Sequence, residues 1–201
     1  MANLGRCARA PRLVGMARDL ASAPPAFQEA LRSLAHARTR RDVVLTETPA
    51  PSRIAPFAAA IDGSLRAPNA EASGRFVVLH DPEGQDAWEG VFRVVALVKA
   101  QVDAEVGTDD LWAQAAWSWL DDALQAVPHR ASGGTVTKTV NESFGELSTR
   151  PSEVQVELRV SWTPTDTDLG PHIAAWTELM ASCAGVPPVP EGVTALPGGD
   201  R

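Results

Sequence analysis

At 201 residues, with 44% hydrophobic and 21% charged residues, the chain has the make-up of a soluble globular domain with one sizeable core. Its net charge of −7 opposes binding to DNA and to anionic lipid, and no apolar run approaches the roughly 20 residues that span a bilayer. Two cysteines, Cys7 and Cys183, are too few for a disulfide framework, so the expected compartment is the cytoplasm.

Residues 1–23 carry Arg6, Arg9, Arg12 and Arg18 without a period or the apolar centre of a secretory signal. They read as a disordered leader or a start placed too early, with Met16 as a sensible first residue. One α+β domain is expected over residues 24–186, followed by a tail without pattern at 187–201.

Pro24 and Pro25 open the first helix, because a missing N–H costs nothing in the first turn. Phe27, Ala30, Leu31 and Leu34 fall at helical spacing on one face. His36, Arg38, Arg40 and Arg41 follow at its end, where cations offset the helix dipole. DVVLTE then reads as a strand stopped by the proline-rich TPAPSRIAP, and FAAAIDGSL as a second strand ended by Asp62 and Gly63. APNAEASG reads as a loop by composition.

The stretch Arg75–Asp103 organises the rest as a hairpin. Asp81-Pro82-Glu83-Gly84 fits a type I turn in each of its residue preferences. In the long second strand Phe92, Val94, Ala96, Val98, Ala100 and Val102 share one face. The opposite face mixes Arg93, Lys99, Gln101 and Asp103 with Val95 and Leu97, which a loop or another subunit must cover.

TDDLWAQAAWSWLDDALQAV is the best helix, with Thr108 able to cap it and Asp109 and Asp110 at the positive end of its dipole. Trp112, Ala116, Trp119, Leu120, Ala123 and Val127 make its apolar face, with Trp117 at the boundary. Each buried tryptophan removes about 150–250 Å² from water, grossly ~4–6 kcal/mol, so indole burial decides where the helix docks. A second hairpin follows, SGGTVTKTVNE with SEVQVELRVSW, in which Val154, Val156, Leu158, Val160 and Trp162 point inward. Asp168 caps a last helix striped by Leu169, Ile173, Trp176, Met180 and Cys183, and Gly185 ends it. The predicted architecture is a single, mostly antiparallel sheet of about six strands in the order α-β-β-β-β-α-β-β-α, with the helices on one face.

Chemistry is sparse. No phosphate loop, dinucleotide fingerprint, nucleophile elbow or zinc spacing occurs, and no metal or cofactor is expected. His80, Asp81, Glu83 and Asp86 crowd the central turn without the spacing of a calcium loop. His129 reads as a loop residue; His172, with Asp166 and Asp168 upstream, reads as a packed imidazole beside a cap before it reads as a base. Cys183 continues an apolar stripe and reads as an inert core thiol.

The candidate binding surface is His80, Asp81, Asp86, Trp88, Arg93, Val95, Leu97 and Trp117. It suits a non-catalytic protein-binding or adaptor module, as a homodimer or with a protein partner. One alternative is a small hydrolase or ligand-binding enzyme at the Arg75–Asp103 hairpin turn. The other is RNA binding through Arg38–Arg41, which the net charge opposes.

The stretches LTETPAPSRIAPFA, LHDPEGQDAWEGVFRVV, AWSWLDDAL, GGTVTKT and SWTPTDTDLGPHIAAW, in that order, resemble one actinobacterial family. It is the family catalogued only as a domain of unknown function, the DUF three-thousand family, and the likeness runs from about Pro24 to Pro190. That resemblance implies a cytoplasmic actinobacterial protein and brings no activity, cofactor or site residue with it. The order of elements is also reminiscent of the small fold of secretion-chaperone-like proteins, with an extra strand before the central helix.

Overall fold

The computed structural model describes residues 22–68, 70–103, 109 and 111–186. Cys7, Met16, the Thr108 cap, Asp110, the leader up to residue 21 and the tail at 187–201 lie outside the described residues.

Among the described residues, three α-helices and six strands follow in the predicted order. They are α1 (Pro25–Ala35), β1 (Val43–Thr48), β2 (Phe57–Ala67), β3 (Ala70–Gln85), β4 (Gly90–Val102), α2 (Trp112–Leu124), β5 (His129–Asn141), β6 (Glu153–Pro164) and α3 (Gly170–Cys183). One antiparallel sheet of order β1-β2-β3-β4-β6-β5 contains all six strands. The inward rows of β4 and β6 are buried as their alternation requires, from Phe92 to Ala100 and from Val154 to Trp162. All three helices join one apolar core with these rows, on one side of the sheet. We call the other side the outer face.

α3 lies deepest. Its expected stripe is buried, but so are His172, Ala175, Thr177, Leu179 and Ala181, because α1 and α2 flank the helix while the sheet lies beneath it. It starts one residue later than expected: Leu169 holds the cap position, and Asp168 Oδ1 accepts from the Gly170 N–H at 3.3 Å. Gly185 ends it in a left-handed conformation (φ 72°), the Val186 N–H reaching back to the Ala181 carbonyl. On α2, Trp112, Ala116, Leu120 and Leu124 are buried, while Trp117 and Trp119 are half-buried against the same core.

Three local expectations are corrected. β2 does not stop at Asp62 and Gly63 but runs to Ala67, and most of the expected APNAEASG loop is the start of β3. Gly63 faces Gly74 across the strands, and the Trp176 ring fills the space where a Cβ at either would sit. Nor does the chain reverse at Asp81–Gly84. Those residues form an irregularity in β3 between the His80–Phe92 and Gln85–Gly90 pairs, held by Asp81, which accepts from the Glu83 N–H and from Gln85 Nε2. The reversal comes in a short 3-10 turn, Asp86–Trp88, closed by Glu89 in a left-handed conformation (φ 56°). His129, expected in a loop, opens β5.

Arg40 ties the α1–β1 connection to α3. Its guanidinium, 4% exposed, donates twice to Asp42 (2.9 and 2.7 Å) and once to Glu178 (3.0 Å). Asp42 is held below the usual carboxylate range, chiefly by that hydrogen-bonded pair. Replacing Arg40 with Ala leaves two acids without their cation. Because both acids keep some solvent, the expected loss is about 1–3 kcal/mol, read as a lower urea midpoint.

Candidate functional site

The outer face is covered at one end and open at the other. At the covered end the 3-10 turn folds Trp88 onto Ala60, Val77 and Leu79, and Ala50, Ala55 and Ala58 pack around them. Thr163 Oγ1 pins this lid by donating to the Trp88 carbonyl. Toward the open end, β4 presents Val91 (40% exposed), Arg93, Val95 (39% exposed), Leu97 and Lys99 in one row.

Arg93 spans three strands from this row. It donates to Ser161 Oγ (2.7 Å), Thr163 Oγ1 (3.1 Å) and the Ala131 carbonyl (2.8 Å). Ala131 sits at φ 51°, strained for a residue with a Cβ, inside the bulge between Arg130 and Gly133. The guanidinium therefore fixes where β5 enters the sheet. Burial lowers the Arg93 pKa, and Glu89 offsets this only in part.

The charges beyond it are paired across strands or, for Arg159 and Glu157, along β6. Lys99 reaches Glu157 at 2.9 Å, Arg159 reaches the same carboxylate, and Arg75 grips Asp62 at 2.7 and 3.1 Å. Lys99 first, then Arg159, hold Glu157 below the usual carboxylate range against its desolvation. Past these pairs the face hollows into a trough of about 520 Å³ lined mostly by polar side chains, among them Arg66, Glu71, Lys99, Gln101 and Gln155.

Of the residues expected to form a binding surface, Arg93, Val95 and Leu97 do share the outer face. Trp88 shares it too, but is buried and presents no free ring. Asp81 is spent on the chain irregularity, and Asp86 is exposed at the turn. His80 and Trp117 belong to the helix side. His80 is enclosed by Phe27, Phe57 and Phe92, its Nδ1–H donating to the Val91 carbonyl at 3.0 Å. The four side chains that a hydrolase at this turn requires, His80, Asp81, Asp86 and Arg93, thus do not converge.

The other candidates resolve similarly. His172 is fully buried and stacks on Trp162, whose Nε1–H donates to His172 Nδ1 at 2.8 Å. Asp166 and Asp168 accept from backbone N–H groups rather than orienting that imidazole. Burial pushes the Cys183 thiol up to about 12, which keeps it protonated and unreactive. Of the arginines at Arg38–Arg41, Arg40 is buried in its ion pairs, while Arg38 and Arg41 are exposed. Among the described residues, no three His, Cys, Asp or Glu side chains lie close enough to hold a metal ion. None of the described helices is long and apolar enough to cross a membrane.

Sequence reasoning found the Val95–Leu97 row from its alternation. It missed the Arg93 clamp and the Arg75–Asp62 and Lys99–Glu157–Arg159 pairs, which depend on strand register; only the sign alternation of Glu157 and Arg159 on one face hinted at them. No curated protein and no solved structure matches the sequence. The family described as "Protein of unknown function (DUF3000)" matches residues 23–194, and the chain belongs to that family.

Proposed function

We propose that this chain is a non-catalytic, cytoplasmic protein-binding module whose partner lays an amphipathic helix along the β4 row of the outer face, beside the Trp88 lid. The observation that carries the reading is the β4 row. Val91, Val95 and Leu97 lie uncovered or half-covered on the central strand of a sheet whose flanking charges already neutralise one another. Apolar groups there gain by burial at about 25 cal/mol per Å². The paired charges around them form a polar rim that tolerates desolvation better than lone ions. Along a strand the three side chains span roughly 20 Å, a length that about 13 helical residues cover.

A photo-crosslinking amino acid at position 95, with a second at Asp121 on the solvent side of α2 as control, tests this in the native cell. The partner should cross-link from position 95 alone. Val95→Asp should weaken binding of that purified partner at least tenfold while leaving the urea midpoint unchanged. Equal cross-linking from both positions, or unaltered affinity in V95D, would overturn the proposal.

A further inference from the structure

Cations border the β4 row. All five lysines and arginines of β2, β3, β4 and β6 (Arg66, Arg75, Arg93, Lys99 and Arg159) take the outer face, although the chain as a whole carries −7. The register seats Leu97 between two of them, with Arg75 opposite on β3 and Arg159 opposite on β6. Neighbouring strands lie about 4.8 Å apart, so these two arginines start about 10 Å from each other, close to the diameter of one helix. Neutralisation along this rim is not one to one. Arg75 has Asp62, and the two are almost equally open, at 48% and 42% exposed. Lys99 and Arg159 share the single carboxylate of Glu157. That acid is the sheltered member, 17% exposed against 42% for Lys99 and 70% for Arg159, so an incoming surface meets cation before acid. Nearer the Trp88 lid, Arg93 gives its hydrogen bonds to neutral oxygens, and Glu89 answers its charge only in part.

We propose, resting on the docking role of the β4 row, that its partner helix is acidic and sets an apolar side chain on Leu97 and a carboxylate between Lys99 and Arg159. One helix can make both contacts, because Leu97 stands opposite Arg159 and is followed on the same face of β4 by Lys99. The added carboxylate turns two cations on one acid into two on two. Each cation then holds a charge-assisted hydrogen bond of its own as the row loses water. An uncharged helix in the same place would desolvate a cation whose acid is already shared. A basic helix would set like charges together.

Two end-blocked helical peptides of about 15 residues test this by calorimetry, identical in their leucine stripe and flanked by glutamates in one and by lysines in the other. The glutamate peptide should bind the full chain at least tenfold more tightly. Arg159→Gln should cut that preference to about threefold or less, and Arg159→Glu should reverse it. Both variants should keep the wild-type urea midpoint, since the side chain is mostly exposed. Val95→Asp should abolish binding of both peptides. Equal binding of the two, each lost in Val95→Asp, overturns the acidic partner while the docking row stands. A glutamate preference indifferent to Arg159→Gln and Arg159→Glu overturns the seat assigned to the carboxylate. Binding that survives Val95→Asp, or no binding of either peptide, overturns the row and the acidic helix together.

Discussion

Trp176→Ala should lower the free energy of unfolding by about 3–5 kcal/mol, the range for emptying a buried indole site. At a slope of about 2 kcal/mol per molar urea, the midpoint falls by about 2 M. The side chain is 1% exposed and lies at the centre of the assembly. Its ring packs on Phe76 at a centroid distance of 5.5 Å, and its Nε1–H donates to the Leu97 carbonyl at 3.1 Å. The seat beneath it is cut by two facing glycines. A Cβ at Gly63 would lie 2.6 Å from the ring, and one at Gly74 would lie 2.8 Å from it. A shift below 0.5 M for the alanine variant would show that this seat does not hold the helix.

The two glycines separate on a double-mutant cycle. Gly63→Ala meets only side chains, the Trp176 ring and Met180 Sδ at 3.2 Å, so shrinking the ring makes room. Gly63→Ala should cost about 1–3 kcal/mol alone, and clearly less in a Trp176→Phe background. At Gly74 the new methyl also lies 2.3 Å from the Leu97 carbonyl oxygen, which is backbone and cannot yield. Its cost should persist whatever residue stands at 176. Additive costs for Gly63→Ala and Trp176→Phe would mean that the ring is not what excludes a Cβ at Gly63.

The same pair shows where the sequence stops being legible. Gly63 read as the end of a strand and Gly74 as part of a loop, because glycine near Asp, Asn and Ser marks turns. The reason for Gly63 is an indole more than a hundred residues further along the chain, and Gly74 answers to the Leu97 carbonyl of the neighbouring strand as well as to that indole; no local rule reaches either. Alternation, by contrast, survives any context in which one face is buried. That is why β4, β6 and the side taken by α2 and α3 were readable in advance. At Asp81-Pro82-Glu83-Gly84 the turn chemistry was sound, and Asp81 does hold the Glu83 N–H. The strand pairing simply resumes at Gln85–Gly90 and moves the reversal onward.

Among the site residues, Val95, Leu97 and the face taken by Arg93 were legible from the same alternation, whereas the role of Arg93 was not. Its role is to hold the strained Ala131, and that requires knowing that β6 lies between β4 and β5. His80 was grouped with the row through its closeness to the central turn, and Trp117 because it stands at the boundary of its helix's apolar face. The alternation itself puts His80 opposite Phe92 and so on the buried side.

Acidification from pH 7 to 4.5 should remove about 2–3 kcal/mol of stability, and His172 is the main cause. Burial pushes its pKa down to about 4 from an ordinary 6.5; the Asp166 and Asp168 charges oppose the shift and His129 adds to it. The unfolded chain therefore takes up a proton below pH 6.5 that the folded chain refuses until about 4. This stabilisation is complete above pH 6.5 and drains away as the pH falls toward 4, to a total of roughly 3 kcal/mol at 1.36 kcal/mol per unit. His80, lowered chiefly by burial, acts with the same sign. Asp42 and Glu157, held low by their cations, lose their contribution only at more acid pH, through the carboxylate range.

His172→Asn separates the imidazole from these groups. Its Oδ1 can take the place of Nδ1 as acceptor for Trp162 Nε1–H, so the buried donor keeps a partner. The variant should be about 1–2 kcal/mol less stable at pH 7, having lost the ring that stacks on Trp162. It should also have a flatter pH profile, so that the two stability curves meet near pH 5. Parallel curves in urea titrations from pH 7 to 4.5 would mean that His172 takes up its proton as readily folded as unfolded, and the buried Trp162–His172 pair would not be the acid-labile element of the core.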